Sequence, residues 1–180
     1  MEFTPEKPTE TRVTYFDDAT GADGWEGHTT TKSIERLQSE IITSLSRMGG
    51  NVVSIQSGKF GDRHGFQIHY SLKDSGGRLI PGRIDIACLP LKMAGRYDGR
   101  RGSINTRIEK TKKMALYMTE KALNGMWFLE QLSPGFFSLM PTMLAESGKT
   151  FGELWFESGI KQLSPPSDTD FIDGEVVDEN

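Results

Sequence analysis

A chain of 180 residues, 36% of them hydrophobic, can bury one ordinary core, and its formal net charge of -4 makes it mildly acidic overall. No stretch reaches the roughly 18 consecutive apolar residues of a membrane span, and Met1-Glu2-Phe3-Thr4-Pro5 is not the basic, then apolar, start of a signal peptide, so a cytoplasmic protein without membrane contact is expected. Cys88 is the only cysteine, which excludes an internal disulfide and a cysteine-built zinc site within one chain; a buried, inert thiol is expected.

Residues 1–31 contain Pro5 and Pro8 and little apolar periodicity, and read as an acidic N-terminal arm, mostly loop and partly disordered, with a short strand possible only at Arg12 to Phe16. Residues 32–163 read as a single α+β domain. Ile34, Leu37, Ile41, Leu45 and Met48 recur at helical spacing, with Thr30 and Thr31 as caps and Gly49-Gly50 ending the pattern. Three strands follow: Asn51 to Ser57, Phe66 to Lys73 and Arg83 to Leu89. Phe66, Ile68, Tyr70 and Leu72 alternate with polar residues, as do Ile84, Ile86 and Cys88, so one sheet face is apolar and the other polar. Asp74-Ser75-Gly76-Gly77 supplies the turn of a hairpin between the second and third strands. After a loop from Lys92 to Gly102, Thr106 and Glu109 have capping-box spacing for a long helix, with Ile108, Ala115, Met118, Ala122, Met126 and Leu129 as its buried stripe. Phe136 to Phe156 reads as two short helices broken near Pro141 and Gly148, and its Phe and Met residues read as core with room for a dimer or partner surface. The expected architecture is a helix, a three-stranded antiparallel sheet, a long helix and short C-terminal helices packed on one sheet face. Residues 164–180, after Ser164-Pro165-Pro166, read as a disordered acidic tail.

Charge along this chain is sorted. From Gly58 to Lys113 there are thirteen Lys or Arg against five Asp or Glu, whereas residues 1–31 carry seven acids and two bases and residues 164–180 carry six acids and no base. A basic surface attracts polyanions because each neutralised phosphate releases condensed counterions, so nucleic acid is the expected partner, DNA ahead of RNA. Arg96, Arg100, Arg101, Arg107, Lys110 and Lys113 are the candidate phosphate contacts, with Arg83 extending the surface over the sheet and Tyr97 placed to stack on a base. Gly95, Gly99 and Gly102 let the loop approach a backbone closely, and the amides of the helix start favour anions. Phe66 and Tyr70 fall on the apolar side of the sheet, so no aromatic platform is expected on its open face.

The tail from Asp168 to Glu179 resembles the acidic, partner-recruiting tails of bacterial single-stranded DNA-binding proteins and of some phage recombination proteins. It departs from the bacterial pattern by ending Glu179-Asn180 rather than on Pro-Phe. The resemblance implies a protein partner reached through Phe171 and Ile172, or competition with DNA for the basic loop. The helix, three-strand, helix order also resembles the core of restriction-type nucleases, and Asp62 and Asp85 are available for a metal. That family's lysine would fall at position 87, where this chain has Ala87. Gly148-Lys149-Thr150 resembles the end of a phosphate-binding loop, but the required first glycine is replaced by Met143. His64 and His69, five apart, should face opposite sides of a strand, and no calcium loop or nucleophile elbow is complete.

These features favour a non-enzymatic nucleic-acid-binding accessory protein of phage or mobile-element type, without cofactor or metal. The alternatives are an interaction protein that binds a host protein or sequesters a small anionic ligand and, behind it, a metal-dependent nuclease; a homo-oligomer is compatible with each.

Overall fold

The computed structural model describes residues 13–73, 76–92, 102–133 and 137–159. In chain order these form helix α1 (Ile34–Arg47), strands β1 (Gly50–Phe60), β2 (Arg63–Lys73) and β3 (Leu79–Ala87), the long helix α2 (Ile104–Leu132) and the short helix α3 (Phe151–Gly159). The strands make one antiparallel sheet in the order β1-β2-β3, so the fold is α+β.

Helix α1 follows the expected stripe: Leu37, Ile41 and Leu45 are fully buried. Its cap is Ser33 rather than Thr30 or Thr31, because the Ser33 hydroxyl accepts the Arg36 amide at 3.2 Å. The left-handed Gly49 (φ +82°) then turns the chain into β1. Strand β1 runs past the expected end at Ser57 as far as Phe60, since Gly61-Asp62 closes a two-residue turn with Gly61 at φ +63°, the glycine-first hairpin geometry. A bulge between Val52 and Ser54 lets both Val52 and Ile55 pack on the core.

Phe66, Ile68, Tyr70 and Leu72 of β2 are buried as their alternation predicts, beneath Leu37, Ile41 and Leu45 of α1 and Leu116 and Leu123 of α2. Tyr70 lies across Gly82 of β3, where an added Cβ would sit 2.2 Å from the ring, and its hydroxyl shares a 2.5 Å hydrogen bond with Thr142.

Helix α2 corrects the expected register. Its cap is Ser103, whose hydroxyl accepts the Thr106 amide at 3.2 Å, not Thr106 itself. The buried residues are Arg107, Thr111, Met114, Leu116 and Leu123, while Met126 and Leu129 of the expected stripe are exposed. The reason is that Arg107 and Thr111 turn inward to partners no periodicity reveals: Arg107 to Asp17, and the Thr111 hydroxyl to the Leu89 carbonyl at 3.3 Å. The first residues described, 13–16, are not a strand. The described part of the arm is loop with a 3-10 turn at Gly21–Asp23, and it is packed: Phe16 and Ala19 are buried with Met114, and the Phe16 amide donates to the Pro90 carbonyl at 2.9 Å.

In place of two C-terminal helices there is a 3-10 turn, Met140–Thr142, started by Pro141, and α3 alone. Thr150 and Glu153 form a capping box for α3, the Thr150 amide donating to the Glu153 carboxylate at 2.6 Å and the Glu153 amide to the Thr150 hydroxyl at 3.1 Å. Helix α3 does not cover the apolar sheet face; Phe151, Trp155 and Phe156 are exposed, and Glu153 reaches Arg83 on the open face.

Candidate nucleic-acid interface

Arg96, Tyr97, Arg100 and Arg101 of the basic loop, and Phe171 and Ile172 of the tail, lie outside the described residues. The other four candidates are brought to three different places.

Arg107 is corrected. Its side chain is 3% exposed and ion-paired with Asp17, which is 6% exposed, and it also donates to the Lys92 carbonyl at 3.0 Å. The Lys92 amide in turn donates to Asp17 at 3.0 Å. A guanidinium taken out of water needs a partner, so this charge serves the base of the basic loop and not a phosphate. Arg83 is likewise engaged: Asp85 accepts from it at 2.9 Å, both Glu153 oxygens at 2.9 and 3.0 Å, and the Gly148 carbonyl at 3.1 Å. Gln67 donates to Asp85 at 2.9 Å and meets His69 at 2.8 Å, so the open sheet face carries a network of one guanidinium and two carboxylates rather than a basic extension.

Lys110 is exposed and Lys113 half-buried, the latter near Glu35 of α1, in the first turns of α2 behind the left-handed Gly102 (φ +78°) and the Ser103 cap. Lys113 pairs with Glu109 at 2.8 Å, one turn away. Lys112 points the other way, its ammonium 3.0 Å from the Ser57 hydroxyl and 5.9 Å from the centre of the Phe66 ring. Lys59, opposite His64 in the ladder, extends this positive edge along β1. The local field shows in His64, whose pKa is lowered first by burial and then by the charges of Lys112 and Lys59. Among the described residues, no carboxylate is in ion-pair contact with Lys59, Lys110 or Lys112, whereas Lys32, Lys92, Lys121 and Lys149 each hold one.

Sequence reasoning missed Phe60. With β1 continuing to the turn, Phe60 shares the open face with Gln56, and its ring lies against Gly65, where an added Cβ would come within 2.7 Å of it. The signal was present: Gly-Asp between two strand-forming runs reads as a tight hairpin.

The nuclease elements do not converge. Asp62 lies in the hairpin turn, Asp85 is engaged by Arg83 and Gln67 opposite Gln67 in the ladder, and among the described residues no group of three or more His, Cys, Asp or Glu could hold a metal. Lys149 pairs with Glu157 at 2.7 Å, and Thr150 caps α3. No helix among the described residues is long and apolar enough to cross a membrane. No protein-family model, curated protein or solved structure matches the chain.

Proposed function

We propose that the protein is a non-enzymatic nucleic-acid-binding accessory factor, of the kind that phages and mobile elements use in replication or recombination, which holds phosphates along the start of α2, the β1 edge and the loop before α2. The observation that carries this reading is the set of lysines at positions 59, 110 and 112, close to the most basic stretch of sequence and without carboxylate partners among the described residues. Cations left unneutralised are what a polyanion recruits, and they confer affinity without base preference. The acidic tail supports a regulatory part, as a competitor for these cations or as a partner-recruiting segment.

Fluorescence anisotropy with labelled oligonucleotides at two salt concentrations, magnesium present, tests this. Binding should fall steeply with salt and leave the strand intact. Lys110→Ala with Lys112→Ala should weaken binding to all sequences alike and reduce the salt slope by about one per lysine, and removing residues 164–180 should tighten it. No binding at low salt would overturn the reading.

A second reading, an interaction protein, draws support from the apolar surface after α2. Trp155 and Phe156 of α3 are 61% and 65% exposed, at a groove of about 480 Å³ lined by Met140, Pro141, Phe151, Leu154 and Trp155, and on α2 Phe128 and Leu132 are exposed as well. Association through it, with a host protein or a second copy, would be salt-tolerant.

A further inference from the structure

The open face of the sheet has a dent at the hairpin end of β1. Ser57 faces the helices, since it accepts from Lys112 of α2, so alternation puts Gln56, Gly58 and Phe60 on the opposite, open face. Gly58 pairs with Gly65 and Gln56 with Gln67. The two glycines are not equivalent. The Phe60 ring leans over Gly65, whereas a Cβ added at Gly58 would meet nothing within 4 Å. The space left at Gly58 is a pocket of about 150 Å³ lined by Phe60, Gln56 and Gln67 together with Ser57, Lys59 and Phe66.

We infer that this pocket takes one unpaired nucleobase, which makes single-stranded nucleic acid the substrate class; the inference rests on the nucleic-acid reading above. The volume is well below the roughly 300–1,000 Å³ of pockets for drug-sized ligands and suits a single ring system. An aromatic ring beside an open dent offers a π-face, on which any base stacks. The Gln56 amide supplies a donor and an acceptor of the kind base edges require, while the Gln67 amide is engaged by Asp85 and His69 and forms a fixed wall. Lys59 also lines the pocket, and its side chain alternates to the helix side with Ser57, so its charge lies at the strand edge, within reach of the adjoining phosphates. A base inside a duplex has both faces covered by its stack and cannot enter.

The test compares the full-length protein's affinity for an oligothymidine strand, an abasic strand of equal length and phosphate number, and a duplex. Oligothymidine should bind about 5- to 150-fold more tightly than the abasic strand, the range expected for stacking one base. Phe60→Leu should abolish most of that preference and leave abasic binding unchanged. A Cβ at Gly58 meets nothing within 4 Å and valine favours strands, so Gly58→Val should fill the pocket and have the same effect in a folded protein whatever Phe60→Leu does to stability. Equal binding of oligothymidine and abasic strands, a preference for duplex, or a preference that survives Gly58→Val would overturn the inference while sparing the phosphate-binding reading. Failure to bind any of the three would overturn both.

Discussion

Arg107 and Asp17 are ninety positions apart, and each is buried only because the other is there. Removing one partner leaves an uncompensated charge in the interior, so Asp17→Ala should cost about 3–5 kcal/mol in chemical denaturation, with Asp17→Leu combined with Arg107→Met recovering much of the loss. This is also where sequence reasoning could not succeed. An arginine in a basic helix start looks like its neighbours Lys110 and Lys113 until the chain folds, because nothing local marks the one that finds a buried acid. Cys88 is the opposite case, its fate legible from the alternation of Ile84, Ile86 and Cys88, although β3 itself ends at Ala87. It is fully buried, and burial pushes its thiol up to about 11. Iodoacetamide at neutral pH should therefore leave the native protein unlabelled and alkylate it only on unfolding, as followed by intact mass.

At the level of elements, the strong periodicities were readable: α1 from Ile34 to Leu45, and β2 from Phe66 to Leu72. What escaped were features set by contacts across the sequence or by a single turn. Phe60 was invisible as a sheet residue because the strand was expected to stop at Ser57, and the α2 stripe was misplaced because its buried face begins with polar side chains. The capping box of α3 has a pH consequence. The Thr150 amide and hydroxyl, with the charges of Arg83 and Lys149, hold the Glu153 carboxyl below its ordinary value of 4.5. A carboxyl whose folded pKa is depressed contributes stability that is present above its unfolded pKa and lost as pH falls through the folded one. Thermal melts should thus show Glu153→Gln less stable than the parent at pH 7, with the difference shrinking as pH falls below about 4.5 and vanishing at lower pH. A constant difference across that window would mean that the charge of Glu153 contributes nothing.

For the whole molecule, the arrangement separates two surfaces. Cations gather around the hairpin end and the start of α2, and exposed aromatic residues gather around α3. The fold class was legible in the order of its elements; the separation was not, since it depends on which charges are consumed internally. The packed arm bears on how this chain can be divided. Its composition marks residues 1–31 as an appendage, yet Phe16, Ala19 and Asp17 close over α2 and hold the segment after β3, at Pro90 and Lys92. A shortened chain beginning at Lys32 would bare Met114 and strand Arg107 without its counter-charge, so it should express as aggregate or melt well below the parent. The N-terminal appendage is a wedge: it locks from outside the two ends of the segment on which the proposed binding depends.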